Sequence, residues 1–162
     1  MSSSGALFDA TGAYRYLLWR AWDAELPRIG FVMLNPSEAD ADNDDPTIRR
    51  CLAFARSWGF GGIEVANLFA FRSRTPAELF AASDPVGPDD DRYLVGIAGR
   101  VDRLVAAWGN HGARFGRAEE VKDLLSGSLW RLRMTSRGQP AHPLYLPGST
   151  VPQPWRMSVP SL

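Results

Sequence analysis

Apolar runs of strand length alternate with helical patterns along most of this chain of 162 residues. The strand patterns lie at positions 14–22, 28–35, 61–71 and 103–109. The last three runs are short, bounded by turn residues and separated by helical patterns, which favours parallel pairing through crossover helices. We therefore predict an α/β fold, a three-layer sandwich with a mostly parallel central sheet. Runs 28–34, 62–68 and 103–108 would be adjacent, and the first strand would lie antiparallel at an edge.

The helical patterns carry start and stop signals of their own. Two helices are predicted to start at Asp45-Pro46 and Thr75-Pro76, and two more to cover 92–103 and the stretch from 117 to a stop at Ser126-Gly127. An Asp or Thr before a proline suits the N-cap and first helical positions, and Gly59 fits the end of the first helix. Short extended segments and a proline-rich tail complete the chain.

The composition indicates one domain, residues 1–162, because 45% hydrophobic residues suffice for one core. Eighteen basic residues balance eighteen acidic ones, so no global charge would draw the chain onto nucleic acid or an anionic membrane. The single cysteine excludes an internal disulfide, and no apolar run is long enough to span a bilayer. No signal-peptide pattern is present. We expect a cytoplasmic protein without membrane association, loosely ordered over residues 1–12 and 148–162.

The sequence lacks the common nucleotide and hydrolase motifs, since no G-x-S-x-G, P-loop lysine or G-x-G-x-x-G follows a strand. Asp40, Asp42 and Asp44 have the spacing of the first three ligands of a calcium-binding EF-hand loop. However, Asp45 and Cys51 occupy its glycine and glutamate positions. We therefore predict a solvated, Asp-capped loop, with loosely held Mg²⁺ as the alternative, and a Cys51 that packs in the core. We expect no cofactor and no metal site.

Polar side chains follow the predicted strands at the points where the strands end. These candidate site residues are Asn35, Ser37, Asn67, Arg72, Asn110, His111 and His142. In an open α/β sheet, ligands bind at the carboxyl ends of the parallel strands. We therefore expect the seven side chains to converge on one rim of the sheet.

Asn35 and His142 form the sharpest pair among these candidates. Each is followed by a proline, Pro36 or Pro143, which restricts the backbone and would hold the side chain in place. We predict that the two residues share one functional pocket and carry its catalysis. The alternative is that both prolines simply end strands.

Seven segments of the chain form a recognisable series: "YRYLLWRAW", "FVMLNPSEAD", "DPTIRRCLAFARSWGF", "VANLFAFRSRTPAEL", "DPVGPDDDRYL", "AAWGNHG" and "HPLYLP", in that order. Through these segments the sequence resembles a bacterial family known as the domain of unknown function 1643. They extend over nearly the whole chain. This resemblance implies no established activity.

A shorter series of motifs carries a second resemblance: "LNPS" at a strand end, "DPTIRR" opening the next helix, "ANLFAFRSRTP", "AWG" and a late "HP". In this order the motifs resemble those of the uracil-DNA glycosylase superfamily. The resemblance implies a glycosylase-like fold and a partner that is a nucleic acid or a nucleotide-like small molecule. It also implies that Asn35 positions the hydrolytic water, Asn67 lies near the base pocket, and His142 hydrogen-bonds the charge that develops on the departing base. Phe69, Phe71 or Trp108 would offer a stacking surface for a flipped base.

Three departures from the glycosylase pattern support an alternative. Ser37 stands where those enzymes have glycine, and Leu144-Tyr145 replaces the serine-proline that contacts DNA after the last histidine. The loop after the first motif is acidic and would repel a phosphate backbone. The alternative to an N-glycosidic-bond hydrolase is therefore a non-catalytic module that binds a ligand or partner and keeps the fold without the activity.

Overall fold

The computed structural model describes residues 2–156, which form one mixed sheet with helices packed against it. The strands are β1 Ser3–Phe8, β2 Arg15–Ala21, β3 Arg28–Met33, β4 Gly62–Asn67, β5 Arg103–Ala106, β6 Leu129–Arg131 and β7 Gln153–Pro154. The α-helices are α1 Pro46–Ser57, α2 Pro76–Ala81, α3 Asp90–Arg100 and α4 Arg117–Leu124. Short 3-10 segments cover Asn110–Gly116 and Pro143–Tyr145.

The sheet has the strand order β1-β2-β4-β3-β5-β6-β7. Strands β4, β3, β5 and β6 pair in parallel, which confirms that the runs 28–34, 62–68 and 103–108 are adjacent parallel strands. The prediction of a mostly parallel sheet is only partly correct, because antiparallel pairs flank this centre: β1 with β2, β2 with β4, and β6 with β7. The fold is therefore α/β with a mixed sheet.

Strand β1 displaces β2 from the edge where the sequence pattern had placed it. The apolar residues of β1 are consecutive, Ala6 to Phe8, and do not alternate with polar ones, and the strand forms by antiparallel pairing along β2, from Ser3 opposite Ala21 to Phe8 opposite Arg15. Gly5 allows this pairing, because a Cβ at that position would overlap the indole of Trp19. The sequence pattern does not predict this strand.

Alternation along the central strands divides the core into two layers, one on each face of the sheet. On β3, Val32 faces the layer formed with α2, α3 and α4, whereas Phe31 and Met33 face the layer formed with α1. Strand β4 behaves in the same way, since Ala66 belongs to the first layer and Val65 to the second. Both faces of the central strands are therefore buried, which explains their nearly continuous apolar sequences.

The predicted helix starts at Asp45-Pro46 and Thr75-Pro76 are confirmed. The Asp45 carboxylate accepts a hydrogen bond from the Ile48 backbone N–H at 2.9 Å, and the Thr75 hydroxyl accepts one from the Glu78 N–H at 3.2 Å. The third helix begins at Asp90 and ends at Arg100, so it starts and ends earlier than the predicted 92–103. Strand β5 already begins at Arg103, which leaves no room for a longer helix.

The prediction of loose order over 148–162 falls in part on residues 157–162, which lie outside the described residues, as does Met1. Within the described part, Gln153 and Pro154 form the short strand β7 against β6.

None of the helices in residues 2–156 has the length and apolar character that crossing a membrane requires.

Candidate functional site

A cavity of about 530 Å³ opens at the carboxyl ends of β3, β4 and β5. Its size lies within the range of small-molecule sites, which is roughly 300 to 1,000 Å³. The first turns of α1 and α2, the segment after β5 and the 3-10 turn at Pro143–Tyr145 form the walls. The antiparallel strand β2 contributes its first residue, Arg15, at the same edge.

Six of the seven predicted site residues line this cavity. They are Asn35, Ser37, Asn67, Asn110, His111 and His142. The seventh, Arg72, lies elsewhere: its Nη1 donates to the Gly12 carbonyl at 3.1 Å, and its guanidinium lies 4.8 Å from the Phe8 ring centroid. After the end of β4 the chain turns toward Tyr14, with which Phe71 forms an isolated antiparallel bridge. Arg72 follows this bridge and therefore lies away from the cavity.

Asn67 is the last residue of β4 and is almost completely buried, with 1% exposure. Neither its Nδ2 nor its Oδ1 has a hydrogen-bond partner among the described residues. Its position is fixed because β4 pairs with β3 on one side, Asn67 opposite Met33. Burying an amide without a partner costs about 1 to 3 kcal/mol by protein mutational data. Asn67 lines the cavity, and its amide nitrogen and oxygen are a donor group and an acceptor group that the protein leaves unpaired.

Asn35, two residues after β3, is held by its own amide group. Its Nδ2 donates to the Pro36 carbonyl at 3.0 Å and to the Ser73 carbonyl and hydroxyl at 3.1 and 3.2 Å. The Ser73 hydroxyl in turn donates to the Thr75 carbonyl at 3.0 Å. These contacts fix the orientation of the carboxamide. Its Oδ1 receives no hydrogen bond from any described residue and is therefore a free acceptor.

His142 caps the 3-10 turn and faces the cavity as a neutral ring. Its Nδ1 accepts a hydrogen bond from the Leu144 backbone N–H at 3.2 Å, which places the ring proton on Nε2. Burial lowers the pKa of His142 below its ordinary value of 6.5, while the Asp45 carboxylate opposes this shift. The ring is therefore a neutral Nε2–H donor near pH 7.

Arg15 is a buried cation in the cavity wall, with 2% exposure. Its Nη1 donates to the Ala39 carbonyl at 3.0 Å, and its Nε is buried without a partner. Burial lowers the pKa of Arg15 to about 10, and the Asp45 carboxylate opposes the shift. The group remains positively charged at neutral pH.

Two carboxylates of the acidic loop, Asp40 and Asp45, accept hydrogen bonds from nearby backbone N–H groups, and a third, Asp44, pairs with Arg20 at 2.9 Å. Asp45 accepts from the backbone N–H groups of Ile48 at 2.9 Å and Ala39 at 3.3 Å. Asp40 accepts from Asp42 N and Asn43 N. In residues 2–156, His, Cys, Asp and Glu side chains form no group of three or more that could hold a metal ion. Asp45 therefore builds the cap of α1, and Asp40 builds the turn before it.

Aromatic side chains contact the cavity at its wall and at its mouth. Trp108 has 1% exposure, lines the cavity and donates from Nε1 to the Gln139 side chain at 2.8 Å. Tyr145 is 84% exposed and lies beside His142, with 5.7 Å between ring centroids. Phe69 and Phe71 pack elsewhere, against Phe80 and Tyr14 respectively. Of the three predicted stacking residues, only Trp108 lies at the cavity.

Residues 15–144 match the sequence profile of a family described as "Protein of unknown function (DUF1643)". The chain belongs to this family. No curated protein and no solved structure matches the chain significantly. The resemblance of this DUF1643 protein to uracil-DNA glycosylases therefore stays a prediction.

Sequence reasoning missed several residues that line the cavity of this DUF1643 protein. They are Arg15, Thr47, Ser73, Arg74 and Tyr145. Arg15 left one signal, a charged residue within the strand pattern "YRYLLW". A charge buried in a strand must find a partner, and that expectation would have marked it as a candidate. Ser73 left no such signal, because its role depends on the path of the chain after β4.

The cavity thus combines complementary hydrogen-bonding groups with one buried cation, Arg15, and one exposed cation, Arg74. Asn67 offers a donor and an acceptor side by side, Asn35 offers an acceptor, and His142 offers a donor. Trp108 adds an apolar wall. Such a set suits a flat polar ring whose edge carries both donors and acceptors.

Proposed function

We propose that this DUF1643 protein binds a nucleobase in the cavity and hydrolyses the N-glycosidic bond that joins the base to its sugar. The observation that carries the proposal is Asn67, whose buried carboxamide has no partner for either polar atom. A nucleobase edge with an adjacent acceptor and donor would satisfy both atoms at once. A site built around such a group rejects ligands that cannot pair with it, because the amide would then stay unpaired.

The chemistry follows from the free atoms of two other residues. The Oδ1 of Asn35 would accept a hydrogen bond from a water and orient the water toward the anomeric carbon of the sugar. The water oxygen bonds to that carbon, and the carbon–nitrogen bond breaks with its electron pair remaining on the base. The water proton leaves to solvent. His142 would donate from Nε2 to the developing charge on the base without needing to be protonated.

A specific observation favours the second candidate, a binding module without catalysis. Asp45 is a carboxylate at the cavity, and both of its oxygens accept backbone N–H bonds. It therefore serves as a helix cap, and a general base to activate the water would have to come from elsewhere. In that case the same Asn67 contacts would hold a base-containing ligand intact.

The two candidates are separated by a base-release experiment. Purified protein is incubated with duplex and single-stranded oligonucleotides that contain uracil, hypoxanthine or a mismatch, treated with alkali, and analysed for strand breaks. Wild type, Asn35→Ala and His142→Ala are compared with Asn43→Ala, a control in the exposed loop. Breaks that disappear in the first two variants and persist in the control support the hydrolase. Base binding without breaks supports the binding module, and neither binding nor breaks contradicts both.

A further inference from the structure

Arg15 presents an incomplete set of contacts for a buried arginine. Only Nη1 has an acceptor among the described residues, the carbonyl of Ala39. No carboxylate of residues 2–156 lies within 4.0 Å of its guanidinium, although Arg20, also buried, has Asp44 at 2.9 Å. The nitrogen Nε is buried and has no hydrogen-bond partner in the described part of the chain. A guanidinium has five donors, so most of this binding capacity is unused.

The surroundings do not neutralise this charge. Asp45 attracts it from beyond ion-pair distance, and both oxygens of that carboxylate are engaged as helix-cap acceptors. Arg20 and Arg72 are close enough to repel it. An isolated buried charge is strongly unfavourable unless something pairs with it. Arg15 lines the cavity, so the natural place for the missing anion is the ligand.

The geometry points to a ligand that carries a phosphate, bound by Arg15, and thus to a nucleotide or nucleic acid rather than a free nucleoside. This inference rests on the proposed function for the base, whereas the Arg15 contacts are independent of it. The planar guanidinium is suited to two parallel hydrogen bonds with phosphate oxygens. The cavity volume of about 530 Å³ leaves room for a sugar and a phosphate beside a base.

The test is calorimetric titration of the whole chain with uridine, inosine, their 5′- and 3′-monophosphates, and inorganic phosphate. We expect wild type to bind a monophosphate at least about tenfold more tightly than the corresponding nucleoside, because a charge-assisted hydrogen bond to the phosphate adds this much to the affinity. Arg15→Met should remove this preference, and Arg15→Lys should keep part of it. The matched control is Arg72→Met, which removes a nearby arginine that does not line the cavity and should leave the preference unchanged.

Equal binding of nucleoside and monophosphate by wild type would overturn the inference, and this comparison does not depend on the folding of any variant. A preference that survives in Arg15→Met would also overturn it, as would the absence of binding by every probe. If only inorganic phosphate binds, and does so through Arg15, the anion site stands and the base-recognition proposal fails. If nucleosides and monophosphates bind equally and Asn67→Leu abolishes both, the base site stands and the phosphate inference fails.

Discussion

Two buried arginines, Arg117 and Arg15, have almost the same exposure, 3% and 2%, and opposite surroundings. Arg117 donates from Nε to the Leu68 carbonyl at 2.8 Å and from Nη2 to Asp90 and Asp91 at 3.2 and 2.7 Å. Arg15 has one carbonyl partner and no carboxylate within 4.0 Å among the described residues. The charge of Arg117 is paired within the protein, whereas the charge of Arg15 would be paired only by a ligand that supplies an anion.

The same contrast separates the two asparagines of the cavity. The amide of Asn35 is held by three hydrogen bonds to neighbouring residues, and the amide of Asn67 has no hydrogen-bond partner in residues 2–156. The satisfied amide of Asn35 and the unsatisfied amide of Asn67 both belong to residues that line the cavity. Atoms such as Arg72 Nε and Asp90 Oδ1 are also buried without a partner but lie away from the cavity, so a missing partner indicates a binding atom only where the residue also lines the cavity, as Asn67 and Arg15 do.

The largest expected effect is on the structural arginine. Arg117→Met should lower the free energy of unfolding by about 3 to 5 kcal/mol, because it leaves Asp90 buried without its cation. Arg15→Met should change it by less than about 1 kcal/mol, because removing an unpaired buried charge offsets the lost hydrogen bond to Ala39. Urea denaturation measures both. Similar losses in the two variants would break the comparison.

The next largest effect is on the free energy of unfolding when either cavity asparagine is replaced by leucine, and the two replacements should change it in opposite directions. Asn67→Leu should raise the free energy of unfolding by about 1 to 2 kcal/mol, because an unpaired buried amide is replaced by an apolar group of similar size. Asn35→Leu should lower it by about 1 to 2 kcal/mol, because three contacts of Nδ2 are lost. Thermal or urea unfolding of both variants decides this point. A destabilised Asn67→Leu protein would mean that the amide has a structural partner.

The smallest effect is the pH dependence that His142 contributes. Burial depresses the pKa of His142, so the folded state binds its proton less readily than the unfolded state does. The contribution of neutral His142 to the free energy of unfolding is therefore fully present above its ordinary pKa of 6.5. It is lost as the pH falls through the lower pKa that His142 has in the folded state. Urea unfolding of wild type and His142→Gln across this acid range should show a steeper loss for wild type.

Gln153→Ala is the control for that comparison, because Gln153 is exposed and carries no ionisable group. It should keep the wild-type pH profile. If His142→Gln and wild type have parallel profiles, His142 is not a buried neutral ring, and its assignment as an Nε2–H donor fails.

Much of the framework could be predicted from the sequence because it depends on local patterns. The apolar runs and the cap signals at Asp45 and Thr75 place β3, α1, β4 and α2 in order, and parallel strands bring Asn35 and Asn67 to one edge. His142 could be placed there because a proline follows it and an extended segment precedes it. The cavity lining agrees with the predicted convergence for every candidate except Arg72.

The remainder depends on tertiary contacts that the sequence does not encode locally. Strand β2 runs antiparallel to β4, so its first residue, Arg15, lies at the rim where the parallel strands place their last residues. Strand β1 forms through backbone pairing and the approach of Gly5 to an indole, which leave no periodic apolar signal. Whether a buried amide is satisfied also follows only from its neighbours in space, so the difference between Asn35 and Asn67 could not be foreseen.

The most direct measurement is titration of wild type and Asn67→Leu with free uracil, cytosine, adenine, guanine and hypoxanthine, followed by calorimetry or NMR. The account predicts that wild type binds at least one of these bases and that Asn67→Leu weakens this binding by about tenfold or more. It also predicts that the variant stays at least as stable as wild type. Binding of no base by wild type, or equal binding by a well-folded Asn67→Leu protein, would contradict the central claim.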